Sequence, residues 1–368
     1  MIKRLGYFLA GTALLTASGL ASATGSTICA ETLSSYYQSS CDASCQQGYR
    51  TSYPDCFTTS DSGSASLQIA GTSVRQVSSI SSAIASRFLS PAATGPQQTA
   101  GLDSVKGMAA GNAAPAFNVW GNLNNTRSSY SGNSGLNNAD KSNSDVTNTV
   151  VGLDYAFSPN MVIGLSAAYD RGNGSSGRNS VGSSTKGDTY APYFGWQINK
   201  ELAFDISTGW GSGKFSATGT KVDSDRSFTA ANLSYNRWMN NLQLVGKVGY
   251  LTAEEKYGNI INAGGTQNNT SSTNTVDQFR LGVEAGYWMN GIMPFAGLAY
   301  TSDDRKSSSA VAGFVDNSKL GKDAFVLSLG ANFFNLGKGV TGGILYTQES
   351  GRSNGKNDTL GANVSFRF

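Results

Sequence analysis

The chain contains no histidine in 368 residues, and that absence removes whole reaction classes. Ser-His-Asp and Cys-His nucleophilic sites, His-ligated zinc and haem attachment through C-x-x-C-H all need an imidazole. Charge is also scarce. Only 14% of residues are Asp, Glu, Lys or Arg, and the net charge of +3 is evenly mixed, with no basic stripe carrying interleaved aromatics. A nucleic-acid partner is therefore excluded. Long apolar runs are missing too: no segment beyond the N-terminus approaches 18 uncharged apolar residues, so no transmembrane helix is expected. Carboxylate-pair chemistry remains formally open. Nothing singles out such a pair, a cofactor or a metal, so the chain is read as a non-enzyme.

What is present begins with a targeting segment. Lys3 and Arg4 precede an apolar stretch from Tyr7 to Leu15, and Ala21-Ser22-Ala23 is an A-x-A cleavage site. Residues 1–23 read as a cleaved signal peptide. An exported chain without a membrane helix can be integral to a membrane only as a closed barrel, because open sheet edges cannot sit in lipid.

From about residue 115 the sequence is a procession of alternating segments. Twelve are counted: 115–130, 144–157, 161–171, 185–198, 202–216, 226–239, 242–255, 274–289, 291–302, 322–335, 339–350 and 356–368. Val151, Leu153, Tyr155 and Phe157 oppose Gly152, Asp154 and Ala156, and Phe279, Leu281, Val283, Ala285 and Tyr287 oppose Arg280, Gly282, Glu284 and Gly286. A period of two places each set on one face of a strand. Connections alternate between tight turns (Ser158-Pro159-Asn160, Asn199-Lys200-Glu201, Asn240-Asn241, Asn290-Gly291, Leu336-Gly337-Lys338) and long Gly/Ser/Asn/Asp loops near 131–143, 172–184, 217–225, 256–273, 303–321 and 351–355. Both ends of the array fall on the short-turn side. Phe157, Trp196, Trp238, Trp288, Phe333, Phe334, Phe366 and Phe368 sit beside the short turns, as an interfacial girdle would.

A soluble all-β sandwich or barrel would also alternate. It would not confine aromatics to one end or alternate its loop lengths. The expected fold is all-β: a closed antiparallel transmembrane barrel of 12 strands over 115–368. A short helical segment and a small cysteine-containing region precede it. The last strand shows the pattern most cleanly, with Leu360, Ala362, Val364, Phe366 and Phe368 on the lipid face and Gly361, Asn363, Ser365 and Arg367 on the lumen face.

Gly107-Met108-Ala109-Ala110-Gly111-Asn112, then Phe117-Asn118-Val119-Trp120-Gly121-Asn122, the twelve-strand count and the closing Ser365-Phe366-Arg367-Phe368 together resemble the autotransporter β-domain family. The resemblance implies a Gram-negative outer-membrane barrel in contact with outer-membrane lipid. It further implies an N-terminal passenger and a helical link through the pore. Phe366 and Phe368 would then be the C-terminal signal read by barrel-assembly machinery. The passenger departs from the family, since residues 24–65 are only a short stretch.

The segment 66–114 divides into an amphipathic helix and a linker. Val74, Val77, Ile80, Ile84 and Phe88 form one face of 66–89, and serines fill most of the other. This helix, or alternatively 102–110, is the candidate lumen plug. Residues 24–65 hold Cys29, Cys41, Cys45 and Cys56. An even count in an exported chain points to two disulfides. Three connectivities are possible, and the near-symmetric spacing favours Cys29–Cys56 with Cys41–Cys45. Lumen-lining candidates are Trp120, Asp154, Asp170, Asp205, Lys247, Arg280, Glu284 and Arg367, which would either brace the interior or line a water path. Asp303-Asp304 and Asp223-x-Asp225 lack the spacing of a calcium loop and read as solvated loop tips. The leading function is a monomeric autotransporter-type barrel that anchors or displays a very short N-terminal segment. The alternatives are a stand-alone porin-like pore, or an adhesin acting through its long external loops on a partner the sequence does not name.

Overall fold

The computed structural model describes Ile80, Ser81 and Ile84, then residues 116–131, 141–176, 182–217, 220–262, 265–267, 271–309, 321–337, 339–353 and 355–368. The expected signal peptide (1–23), the four cysteines, the 102–110 stretch and most of 66–89 lie outside them.

The strands are β1 (Ala116–Ser131), β2 (Lys141–Ser158), β3 (Met161–Ser176), β4 (Gly182–Gln197), β5 (Leu202–Ala217), β6 (Thr220–Met239), β7 (Leu242–Tyr257), β8 (Ile260–Asn262), β9 (Gly265–Gln267), β10 (Ser272–Tyr287), β11 (Ile292–Ser309), β12 (Asp323–Gly337), β13 (Val340–Ser350) and β14 (Gly355–Arg367). Each long strand pairs antiparallel with its neighbour along the chain, and β14 pairs back on β1. The result is a closed 12-strand barrel. β8 and β9 form a small side hairpin that touches β6 through Lys221↔Ile261. At the seam Asn118 faces Arg367, Trp120 faces Ser365, and the Phe368 N–H donates to the Phe117 carbonyl at 3.0 Å.

Turn chemistry explains the short end. Asn290 and Gly291 both have positive φ, 49° and 94°, as a type I′ hairpin turn requires. In the β4–β5 turn the Asn199 side-chain oxygen accepts from the Glu201 and Leu202 N–H groups, both at 2.9 Å.

The opposite end differs from the sequence reading. β3 runs on to Ser176, β6 starts at Thr220 and β11 runs on to Ser309. Ala217 and Thr220 are register partners, so the connection read as 217–225 is a tight one. Asp223, Asp225, Asp303 and Asp304 are therefore strand residues, not loop tips. Once a strand leaves the lipid its outward positions turn polar and the apolar alternation ends. The hydrogen-bonded ladder continues regardless, because a neighbouring strand still offers partners.

The outer surface carries a continuous apolar band: Phe117, Leu153, Leu165, Ile206, Leu233, Val283, Leu298, Leu329 and Leu360 all point outward and are exposed. A band of this kind encircling a closed barrel fits lipid. Its upper edge is aromatic, with Tyr169, Tyr190, Trp210, Tyr250, Phe279, Phe325 and Tyr346 exposed. Tyr250 and Tyr346 of this edge, and Tyr300 next to Phe325, have hydroxyls capped by carboxylates just above. Tyr250 donates to Asp277 at 3.3 Å, Tyr300 to Asp323 at 2.6 Å and Tyr346 to Asp358 at 3.0 Å. Such rings suit an interface that is greasy below and wet above. The lower girdle needs correction. Phe157, Phe366 and Phe368 are exposed, whereas Phe334 is buried and stacks on Trp288 with ring centroids 5.1 Å apart. Trp238 shares the lumen face with its register partner Gln243. Proximity to a turn does not fix which face a side chain takes.

The barrel lumen as candidate functional site

Residues facing the lumen divide into two arcs. On β1–β7 the middle of the wall is small and apolar: Val150, Val162, Ala168, Ala191, Phe228, Ala230, Leu251 and Ala253 are buried in one cluster with Trp120 and Tyr193. Ile80 and Ile84, both helical, belong to that cluster and are completely buried. Ser81 is also helical, and its hydroxyl accepts from the Asn232 amide at 3.0 Å. Three residues from before the barrel thus sit inside it, on one wall.

Glycines shape this wall. A Cβ at Gly152 would collide with the Trp120 indole, and one at Gly164 would collide with the Tyr193 ring. The two aromatic rings lie flat across the neighbouring strands and meet edge to face, 6.2 Å apart. Trp120 Nε1 donates to the Tyr193 hydroxyl at 2.9 Å, which donates to Asp154 at 2.9 Å; Asn118 also reaches Asp154, at 3.3 Å. Ser365 donates to Asn118 across the seam at 2.9 Å. One polar relay therefore links β4, β2, β1 and β14.

Higher up, Arg226 lies over Gly213 and Gly187, where a Cβ would strike its guanidinium. It reaches Asp170 at 2.6 Å and Glu255 at 2.8 Å, with all three side chains at most 5% exposed. Lower down, Asp205 accepts from Asn232 at 2.7 Å. A further cluster sits above β10–β13. Arg352 pairs with Asp303 at 2.9 Å and Glu349 at 2.6 Å, and Arg305 also meets Asp303 at 2.7 Å. Burial works against the Arg352 charge, but Glu349 and Asp303 outweigh it and raise its pKa. Arg352 also donates to the Gly321 carbonyl at 2.8 Å, pinning the β13–β14 connection to the start of β12.

The second lumen arc, β10–β14, combines buried apolar residues (Val276, Met293, Ala299, Ala324, Val326 and Phe334) with a partly exposed polar strip. Asn332, Ser328, Thr347, Thr359, Arg280 and Glu284 face inward and are only partly buried. Lys247 and Glu284 bridge the arcs at 3.1 Å, with side chains 36% and 21% exposed.

Of the sequence candidates, the structure puts Trp120 and Asp154 in the relay, Asp170 under Arg226 and Asp205 under Asn232. It pairs Lys247 with Glu284. Arg280 on β10 and Arg367 on β14 lie on the inner face of the second arc. Tyr193, Arg226, Glu255, Asn232 and Arg352 were missed. Their parity was readable, but which strands lie within one side chain's reach was not.

Comparison with known proteins agrees with this geometry. Residues 119–347 match the family model of the autotransporter beta-domain. The translocator domain of the autotransporter NalP from Neisseria meningitidis is similar over 68% of this chain and 88% of that one, with a TM-score of 0.56 and 15% identity. The β-domain of the Bordetella autotransporter BrkA is similar over 69% and 100%, with a TM-score of 0.54 and 14% identity. At such identities the likeness is one of fold. No curated protein matches the chain.

Proposed function

The chain belongs to the autotransporter β-domain family and forms an outer-membrane barrel of the Gram-negative type; from that premise we propose that it anchors and displays a very short N-terminal segment, residues 24–65, and catalyses nothing. The observation that carries this reading is the burial of Ile80, Ser81 and Ile84 inside the barrel. In this reading the rest of 66–89 continues as a helix through the lumen, and the apolar arc is its bed. Residues 1–23 are removed on export, and Phe366 and Phe368 present the barrel to the assembly machinery. Disulfides among Cys29, Cys41, Cys45 and Cys56 staple a unit too small to build its own core.

Thiol labelling of intact, mildly reduced cells tests the display. Label reaching the cysteines from outside is the expected result; label admitted only after permeabilisation defeats it. A second reading, a conducting pore, draws on the partly exposed polar strip of β10–β14. Planar-bilayer current should rise when 66–114 is deleted, and unchanged current would count against a lumen plug.

A further inference from the structure

Above the upper aromatic edge, most outward cations are balanced by anions. Arg127 is flanked in register by Asp145 and Asp358 and pairs with Asp145 at 3.3 Å. Lys256 pairs with Glu254 at 2.9 Å, and Lys306 and Lys322 both meet Asp304 at 3.5 Å. One sector breaks the pattern. Arg171 on β3 faces Lys186 on β4, which in turn faces Lys214 on β5. Three like charges in direct cross-strand register repel one another, an arrangement that costs stability on its own. Lys214 has a partner on its far side, Asp223 at 3.5 Å. Among the described residues Arg171 and Lys186 have no ion pair. Asp188, one level below, is held by the Ser212 hydroxyl at 3.1 Å.

Position decides what could sit there. Arg171 is ten residues above the β3 turn at Met161, which at the rise and tilt of a barrel strand is about 25 Å, the height of the lipid-facing band. Tyr169 lies at the level of Asp188, directly beneath Arg171, and one level further down lie Tyr190 and Trp210, register partners that are 55% and 57% exposed. Cations stacked over an aromatic and apolar wall, at the outer edge of the membrane, complement an amphiphile with a phosphorylated head.

We propose that Arg171, Lys186 and Lys214, with Tyr169, Tyr190 and Trp210 beneath them, form a binding site for the phosphorylated headgroup of an outer-leaflet glycolipid. The guanidinium and two ammonium groups take the phosphate oxygens, and the acyl chains lie along the aromatics toward Leu165. The site depends on the outer-membrane placement of the barrel and not on what the chain displays.

The test uses the purified full-length protein in a neutral detergent, titrated with diphosphoryl lipid A or with the same lipid stripped of phosphate. Bound lipid is counted by native mass spectrometry. The phosphorylated form should bind at least about tenfold tighter. Lys186→Gln should weaken it about fivefold, the equivalent of one cation near an anionic surface. The triple variant Arg171→Gln/Lys186→Gln/Lys214→Gln should lose the preference altogether. Without lipid, Lys186→Gln should melt no lower than the parent, since it relieves repulsion; this separates lost binding from lost folding. Arg127→Gln, a charge change at the same height, should leave the preference intact. The proposal is overturned by equal binding of the two lipids, by an Arg127→Gln loss matching that of Lys186→Gln, or by displacement of the lipid with inorganic phosphate at equal concentration, which would make this a free-phosphate site.

Discussion

The two arcs of the lumen wall use the same strand architecture for opposite ends. On β1–β7 the inward face carries an apolar patch rich in Gly, Ala and Val, with long side chains such as Trp120 and Tyr193 laid over glycines and buried polar residues such as Asn148, Ser166 and Asp205 around it. The surface is smooth enough for Ile80 and Ile84 to be wholly buried against it. On β10–β14 the inward face mixes buried apolar residues such as Val276, Met293, Ala324 and Phe334 with a strip of Asn, Ser, Thr and charged side chains that stays partly exposed. Both arcs are antiparallel ladders with only local irregularities, near Phe333–Gly337 in one and near Ala156–Ser158 in the other, so the ladder does not account for the difference. Side-chain size and polarity at alternate positions decide which part of the wall receives a helix and which part stays in contact with water.

The largest test of that contrast is Ile80→Asp with Ile84→Asp. Two unpaired carboxylates against the apolar arc should cost more than about 4 kcal/mol of docking and drive this segment from the lumen. Planar-bilayer current should rise severalfold, while Ser328→Asp on the wet arc should leave current and melting nearly unchanged. Next comes Arg226→Met, which strands Asp170 and Glu255 without their cation and should destabilise the barrel by about 3–5 kcal/mol in urea titration. Lys247→Met, in the half-exposed pair at the border of the arcs, should cost no more than about 1 kcal/mol. The glycine comparison falls between these two in size. Gly152→Ala pushes against the Trp120 indole and should cost about 1–3 kcal/mol. Gly343→Ala meets the flexible amide ends of Asn332 and Asn363 and should cost less. Equal losses at the two glycines would mean that the arcs do not differ in packing.

The barrel was legible because lipid writes a strict code. Phe279 to Tyr287 had to alternate with Arg280 to Gly286, and Asn290-Gly291 had to turn. The code weakens where lipid ends. Asn173 and Ser175 on β3, and Asp223 and Asp225 on β6, stand beyond the lipid and carry no apolar alternation, so paired strands there read as loops. Asp303 looked solvated because its neighbours are polar, yet it is buried between Arg305 and Arg352. Arg305 stands two residues along the same strand, but Arg352 comes from the β13–β14 connection, a proximity that spacing along one strand does not encode. The same limit hid the Arg171–Lys186–Lys214 row, whose members are unremarkable in isolation and meet only through the register of three strands.

The seam between β1 and β14 has a consequence for how the chain reaches this form. Every other barrel pairing joins neighbours along the chain and can be made as a local hairpin. Ser365 and Asn118, by contrast, meet across 247 residues. Loop-closure entropy sets that single joint about 3–4 kcal/mol above a hairpin of a few residues. The long-range cost of the topology is therefore concentrated in one step, taken by β14, the last barrel strand along the chain. Until then the growing sheet has two open edges, and any factor that holds those edges apart from other chains governs the yield of closed barrels.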